Sequence, residues 1–147
     1  MVKKKVLFVC IHNSARSQMA EELLRKLAGE RFEVKSAGIE PGKLNPVVVK
    51  LLKEEEKVDI SHKQTTAVSD LLKAKETFDY IITVCDETAA ERCPVFPGKG
   101  ERLHWGFPDP SALEGSFEEK LVQTREIKDK IKKKIRNWIS EPADKIF

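Results

Sequence analysis

Residues 6–20 read Val-Leu-Phe-Val-Cys-Ile-His-Asn-Ser-Ala-Arg-Ser-Gln-Met-Ala, and this stretch decides the fold of the chain. It opens with a short apolar run, Val6–Val9, of the kind that forms a buried parallel strand. A polar loop from Cys10 to Arg16 follows. From Ser17 onward, apolar residues recur at the spacing of one helix face: Ala20, Leu23, Leu24, Leu27 and Ala28. A buried strand that leads through a short loop into an amphipathic helix predicts an α/β protein.

The remaining sequence repeats this alternation. Three further strands are predicted, at Phe32–Ser36, at Phe78–Val84 and, as a short fourth strand, at Arg102–His104. Three further helices are predicted, from Asn45-Pro46 to about Glu56, over Thr66–Lys73 and from the capping box of Ser116 and Glu119 to Ile139. This order predicts an open, mostly parallel α/β sheet in a single domain, residues 1–147. The long segment between Cys85 and Gly115 is otherwise expected to be irregular, and loops of that length are usually functional.

Composition excludes several classes of function. The chain has 147 residues, of which 27 are basic and 24 acidic, so its formal net charge of +3 gives no reason to expect nucleic-acid binding. No apolar run approaches the roughly 18 residues of a membrane span, and the N-terminal apolar run is too short for a signal peptide. We therefore expect a cytoplasmic protein without a membrane partner. The lysines between Lys128 and Lys134 are interspersed with acidic residues and predict a solvated face of the last helix.

The chain contains three cysteines, Cys10, Cys85 and Cys93. An odd number in a domain of this size does not indicate a disulfide scaffold. The three thiols could be structural, metal-binding or reactive. We expect no metal site, because the paired Cys-x2-Cys spacing of common zinc sites is absent.

The loop after the first strand suits the binding of an oxyanion. Its backbone N–H groups and the start of the helix can form an anion-binding nest, and Arg16 at its end can bind two oxygens of a tetrahedral anion. The same environment favours the thiolate form of a cysteine, and Ser17 could donate a hydrogen bond to it. Asn13 is a candidate for a left-handed backbone conformation. A Cys that ends an apolar strand is more often an inert buried residue, and that interpretation stays open for Cys10.

In residues 6–21, the pattern Val-Leu-Phe-Val-Cys followed by Cys-x5-Arg-Ser resembles the low-molecular-weight protein tyrosine phosphatase superfamily and, more narrowly, its thioredoxin-coupled arsenate reductases. The resemblance extends from about Lys5 to Ile139. It implies an open four-stranded parallel sheet with helices on both faces. It also implies an oxyanion-binding loop made of Ile11, His12, Asn13, Ser14, Ala15, Arg16 and Ser17, and Cys10 as the nucleophile.

Three features separate the reductases from the phosphatases. Gln18 stands where phosphatases usually have proline, and Asp109, in the Asp-Pro pair that resembles the general acid of both branches, is followed by Ser111 rather than an aromatic residue. The third feature is Cys85 with Cys93, which a hydrolase does not need. The resemblance implies a disulfide relay in which Cys10 attacks arsenate, Cys85 attacks Cys10, Cys93 attacks Cys85, and thioredoxin reduces the product; no cofactor is implied.

Two other functions remain open from the sequence. The first is a phosphomonoester or phosphotyrosine hydrolase that uses only Cys10, Arg16 and Asp109. The second is a regulatory protein that binds phosphate or thioredoxin without turnover. Cys85 and Cys93 would then be buried structural thiols.

Overall fold

A computed structural model describes residues 2–141, and for residues 87 and 88 only the backbone is described. The predicted domain of residues 1–147 therefore includes a first residue and a last segment, 142–147, that lie outside the described residues. In the part that is described, no helix is long and apolar enough to cross a membrane.

Four strands form one sheet in the order β2-β1-β3-β4, and all neighbouring pairs are parallel. The strands are β1 (Lys4–Cys10), β2 (Phe32–Gly38), β3 (Tyr80–Thr83) and β4 (Glu101–His104). The predicted open parallel sheet of four strands is thus confirmed. Because β1 is central and parallel to both neighbours, its carboxyl end at Cys10 lies beside the carboxyl ends of β2 and β3. Ligands of open α/β sheets bind at this edge.

Within residues 2–141 there are five helices, of which four lie between strands and the last follows β4. They are α1 (Arg16–Ala28), α2 (Pro46–Glu55), α3 (Val68–Lys73), α4 (Glu87–Glu91) and α5 (Phe117–Ile139), and a single 3-10 turn covers Pro110–Ala112. The N-caps at Asn45 and Ser116 form as predicted, and Ser116 completes its capping box with Glu119. The sequence did not indicate α4 or the 3-10 turn, which lie in the segment expected to be irregular.

The core has one part on each face of the sheet. Along β1, Val6, Phe8 and Cys10 pack toward the face covered by α1 and α5. Leu7 and Val9 pack toward the other face, where α3 and the segment from Cys93 to Phe96 cover them. This alternation follows from the two-residue period of a strand and confirms the prediction of helices on both faces.

The prediction of a solvated lysine face on α5 was wrong for Lys128. This side chain is 3% exposed, and its ammonium group lies 2.7 Å from Glu55 Oε1 and 3.0 Å from Glu56 Oε2 at the end of α2. The helix itself was predicted correctly. However, Lys128 is buried because it forms ion pairs with residues more than 70 positions earlier in the chain. Sequence spacing on α5 alone carries no sign of them.

Both outer strands of the sheet expose polar or charged side chains. On β4, three of the four residues, Glu101, Arg102 and His104, are exposed. On β2, Glu33 and Lys35 are exposed between buried neighbours.

Candidate active site

The loop between β1 and α1, residues 10–16, curls around the sulfur of Cys10. The backbone N–H of Asn13 donates to Cys10 Sγ at 3.1 Å, and Ser17 Oγ lies 2.9 Å from the same sulfur. Cys10 itself is 3% exposed. Two hydrogen-bonding groups of the protein, one from the loop and one from the first turn of α1, therefore face this sulfur. We refer to residues 10–16 as the anion loop.

The start of α1 leaves hydrogen-bond donors free for an anion. The helix begins at Arg16, and its N-cap is Ala15, which has no side-chain oxygen to accept from the first-turn N–H groups. Helix N-termini with uncapped N–H groups attract anions through these donors and through the helix dipole. Most helices have a residue with a capping side chain at this position, whereas this chain has an alanine.

Asn13 holds the anion loop in shape. Its φ of 55° is the left-handed conformation that the sequence predicted. Its Oδ1 accepts from the backbone N–H of Thr66 at 2.9 Å, and its Nδ2 donates to Ser17 Oγ at 2.8 Å and to Ser36 Oγ at 2.9 Å. Ser36 in turn donates to Glu21 Oε1 at 2.5 Å. One buried amide thus joins β2, α1 and the segment before α3.

The end of β2 touches the anion loop at Gly38. A Cβ atom at this position would lie 2.8 Å from three backbone atoms of the loop, in residues Ile11, His12 and Asn13. Side chains do not occur at such distances, so the loop can close over β2 only if residue 38 is glycine.

Arg16 and Asp109 lie together at the mouth of the anion loop. The Arg16 guanidinium is 5% exposed, donates to the carbonyl of Phe107 at 3.2 Å and lies 3.8 Å from Asp109 Oδ2. Asp109 caps the 3-10 turn by accepting from the N–H of Ser111 at 2.9 Å, and its side chain is 38% exposed. A buried guanidinium next to a half-exposed carboxyl group is an arrangement that can bind an oxyanion and protonate a departing oxygen.

Cys85 follows β3 and belongs to the same part of the core as Cys10. Burial raises the pKa of Cys85 to about 11; negative charge on the nearby Cys10 adds to this rise, and the Arg16 guanidinium opposes it. The backbone N–H of Val84 donates to the carbonyl of Val9 at 2.9 Å, so the residues that come next, Cys85 and Cys10, lie at the same edge of the sheet. Cys85 is an unreactive thiol until a change in its surroundings favours the thiolate.

Cys93 lies on the opposite face of the sheet. It is 4% exposed and packs with Leu7, Val9 and Phe96 in the second part of the core. Burial raises the pKa of the Cys93 thiol, and Arg102 opposes the rise. The cysteines are all free. The structure thus brings Cys10 and Cys85 together and leaves Cys93 apart.

Two arginines hold the segment that carries α4 and Cys93 against the rest of the protein. Arg102 on β4 donates to the carbonyls of Ala90 at 2.8 Å and of Cys93 at 3.0 Å. Arg92 forms an ion pair with Glu40, and it lowers the pKa of that carboxyl group. The backbone of Glu40 is in turn tied to the anion loop, since its N–H donates to the carbonyl of Ile11 at 2.7 Å. Neither arginine was a candidate from the sequence, because no local pattern marks these contacts.

The histidines do not gather into a metal site. His12 shares a hydrogen bond of 2.8 Å with the carbonyl of Glu40, and His104 shares one of 2.7 Å with Thr83 Oγ1. His62 is exposed. Within the described residues, no group of three or more His, Cys, Asp or Glu side chains is placed to hold a metal ion.

Comparison with known proteins agrees with this geometry. The family model described as low molecular weight phosphotyrosine protein phosphatase matches residues 5–145. The chain belongs to this family. The resemblance found in the sequence is therefore confirmed, and so is the fold that it implies.

Several similar proteins are named arsenate reductases. That of Halalkalibacterium halodurans is 42% identical over 138 residues, which cover 94% of this chain and 96% of the relative. A solved arsenate reductase in its phosphate-binding state has a TM-score of 0.70 at 26% identity, covering 94% of this chain and 98% of that one. A thioredoxin-dependent arsenate reductase from Corynebacterium glutamicum has a TM-score of 0.60 at 32% identity, covering 91% of this chain and 62% of that one.

Proposed function

We propose that this protein reduces arsenate to arsenite through a relay of Cys10, Cys85 and Cys93. One observation carries the proposal: a second buried thiol, Cys85, lies at the same edge of the sheet as Cys10 and in the same part of the core. Hydrolysis of a phosphoester needs only the nucleophile, the arginine and an acid, whereas a two-electron reduction needs a second thiol. The similarity to arsenate reductases supports the same conclusion.

In the first step the Cys10 thiolate attacks the arsenic atom of arsenate held by the anion loop. A sulfur–arsenic bond forms, and an oxygen leaves as water after protonation by Asp109. In the second step Cys85 attacks Cys10 Sγ, a disulfide forms, and the electron pair of the sulfur–arsenic bond passes to arsenic. Arsenic is thereby reduced from the +5 to the +3 state and leaves as arsenite, while the two thiols are oxidised.

The second step requires Cys85 to lose its proton. In the resting structure its pKa is raised to about 11 by burial and by charge on Cys10. Once Cys10 is bonded to arsenic it is no longer a thiolate, so one of the causes that raise the pKa of Cys85 is removed, while burial and the charge of Asp86 remain. The second step therefore also requires a change in the surroundings of Cys85 that favours its thiolate.

In the third step Cys93 attacks Cys85, releases the Cys10 thiolate and forms a Cys85–Cys93 disulfide. Because Cys93 is buried on the other face of the sheet, this step requires the segment 86–93 to leave its contacts with Arg102 and the core. The five residues of α4 make few backbone hydrogen bonds, so its unwinding costs little compared with a longer helix. A dithiol reductant of the thioredoxin type then reduces the disulfide by exchange.

The relay needs a reducing compartment, and we propose the cytoplasm as its location. Thioredoxin is the proposed partner. A solved relative at 32% identity is described as thioredoxin-dependent.

The test compares wild type with Cys85→Ser in arsenate-dependent NADPH oxidation, with thioredoxin and thioredoxin reductase present. We expect continuous turnover in wild type and none beyond a single arsenate per chain in the variant. Hydrolysis of an aryl phosphate serves as the control, because Cys10, Arg16 and Asp109 are unchanged. Wild-type turnover rates in the Cys85→Ser variant would refute the relay.

A phosphomonoester hydrolase is the second candidate function. The observation that favours it is the Arg16–Asp109 pair beside Cys10, which supplies every group that hydrolysis requires. Aryl phosphate hydrolysis in a wild-type protein that does not turn over arsenate would establish it and leave Cys85 and Cys93 as structural thiols.

A further inference from the structure

We propose that Gln18 is a positioning residue that, together with the backbone N–H of Thr66, sets the direction of the hydrogen bonds around Cys10, so that Ser17 donates to the sulfur. The inference rests on the proposed role of Cys10 as the nucleophile. Gln18 does not touch the sulfur or the expected oxyanion. It acts through Asn13 and Ser17.

Gln18 is 1% exposed, and it donates both hydrogens of its side-chain amide to one residue, Asn13. Its Nε2 donates to the backbone carbonyl of Asn13 at 3.0 Å and to Asn13 Oδ1 at 3.1 Å. Both contacts lie on the left-handed residue of the anion loop. A side chain on the first turn of α1 therefore holds the backbone and the side chain of the loop at the same time.

These contacts fix which end of the Asn13 amide faces Cys10. Oδ1 receives hydrogens from Gln18 and from the backbone of Thr66, so it cannot also face the hydroxyl groups. The two hydrogens on Nδ2 are then directed to Ser17 and Ser36.

The same orientation decides what Ser17 can do. Its oxygen accepts a hydrogen from Asn13 Nδ2, and its own hydroxyl hydrogen is left for Cys10 Sγ at 2.9 Å. If the Asn13 amide were reversed, Ser17 would donate to Asn13 Oδ1 and the sulfur would lose a donor. A hydroxyl donor stabilises the charged form of a sulfur more than the neutral form.

The other end of the Gln18 amide makes an unfavourable contribution to stability. Its Oε1 is one of two buried side-chain oxygen or nitrogen atoms without a hydrogen-bond partner in the described part of the chain. An unpaired buried acceptor is unfavourable, and an apolar residue of similar size would avoid it. What glutamine adds at this position is the pair of hydrogen bonds to Asn13.

The test replaces Gln18 with Met, and separately with Leu, in a Cys85→Ser, Cys93→Ser background that leaves Cys10 as the only thiol. Two measurements follow the Cys10 thiolate against pH: the rate of alkylation by iodoacetamide and the ultraviolet absorbance of the thiolate. Gln123→Met is the matched control, because Gln123 is exposed on α5. Thermal unfolding verifies that each variant is folded.

We expect the pH of half-maximal reactivity to rise by about one unit in both Gln18 variants, since one hydrogen bond to a charged group is lost. The control should not shift. Ser17→Ala should give a similar rise, and adding Gln18→Met to it should give little more, because both changes remove the same donor.

An unchanged midpoint in a folded Gln18→Met or Gln18→Leu variant would overturn the proposal, and so would fully additive shifts in the double variant. Neither measurement uses arsenate. A protein that shows the expected shift but does not turn over arsenate would keep this inference and reject the proposed function.

Discussion

Gly38, the last residue of β2, lies so close to the anion loop that there is no room for a side chain. We predict that Gly38→Ala weakens phosphate binding at least tenfold, because its Cβ would lie 2.8 Å from backbone atoms and must push the loop away from β2. Overpacking of this kind also destabilises by about 1–3 kcal/mol. Isothermal titration calorimetry with phosphate and urea unfolding measure the two effects.

Gly42→Ala is the matched control for this prediction. A Cβ at residue 42 would lie 3.5 Å from His12 Cβ, an ordinary contact. If Gly38→Ala binds phosphate as tightly as Gly42→Ala does, the close approach of β2 does not shape the loop.

Single residues also show where the sequence stops being informative about the site. The residues Cys10, Asn13 and Arg16 were predicted because a strand, a loop and a helix follow one another, and Asp109 was predicted because its Asp-Pro pair resembles that of the family. Gly38 could not, since its importance arises from a contact between segments about 25 residues apart in the chain. Nothing in the local sequence indicates a backbone donor such as Thr66 N–H either.

At the scale of elements, helix α5 contains a buried hydroxyl group that the packing leaves without a hydrogen-bond partner among the described residues. Thr124 is fully buried on this helix, and its hydroxyl has no partner within residues 2–141. We predict that Thr124→Val raises the free energy of unfolding by about 1 kcal/mol, because valine keeps the shape and removes an unsatisfied hydroxyl. Urea unfolding measures the change.

A matched control is Thr83→Val. Thr83 is also buried, but its hydroxyl has His104 Nδ1 at 2.7 Å, so this change should destabilise the fold. Stabilisation by both substitutions would mean that hydrogen bonding of the hydroxyl is not what distinguishes the two sites.

All four strands and four of the helices were predictable, and α4 and the 3-10 turn were not. The strands and helices with a clear apolar period were found with boundaries close to those observed, and β3 proved shorter than predicted, at Tyr80–Thr83. Helix α4 has five residues and no amphipathic repeat. It depends on the cap by Asp86, which accepts from Ala89 N–H at 2.8 Å, and on the contact of Arg102 with its last turn. The second of these comes from another strand.

The whole molecule is held on one side by a buried ionic cluster that joins three helices. Glu56, at the end of α2, is 3% exposed and lies 3.0 Å from Lys26 of α1 and from Lys128 and Lys132 of α5. Burial alone would raise the pKa of Glu56, but hydrogen bonds from the lysines, Lys128 foremost, outweigh it and lower the pKa to about 2.

We predict a loss of stability of about 3 kcal/mol between pH 4.5 and pH 2 from this group. The folded pKa of Glu56 lies below its ordinary value of 4.5, so its contribution is complete above pH 4.5 and disappears as the pH falls through 2. Urea unfolding of wild type and Glu56→Gln across this range measures it. The difference between the two proteins should shrink steadily with acid.

Glu54→Gln is the control, because the Glu54 side chain is 56% exposed and pairs with Lys50 on the surface. It should follow the acid dependence of wild type. A Glu56→Gln variant that retains the full acid dependence would place the responsible carboxyl group elsewhere.

The charged outer strands β2 and β4 bear on how the molecule behaves among many copies of itself. An outer strand has unpaired backbone groups on one side, and a flat apolar strand in that position recruits further strands into aggregates. Here the exposed side chains of Glu33 and Lys35 on one strand, and of Glu101, Arg102 and His104 on the other, oppose such pairing. When the protein is at high concentration, as in a stressed or overproducing cell, these side chains therefore oppose the growth of the sheet into fibrils.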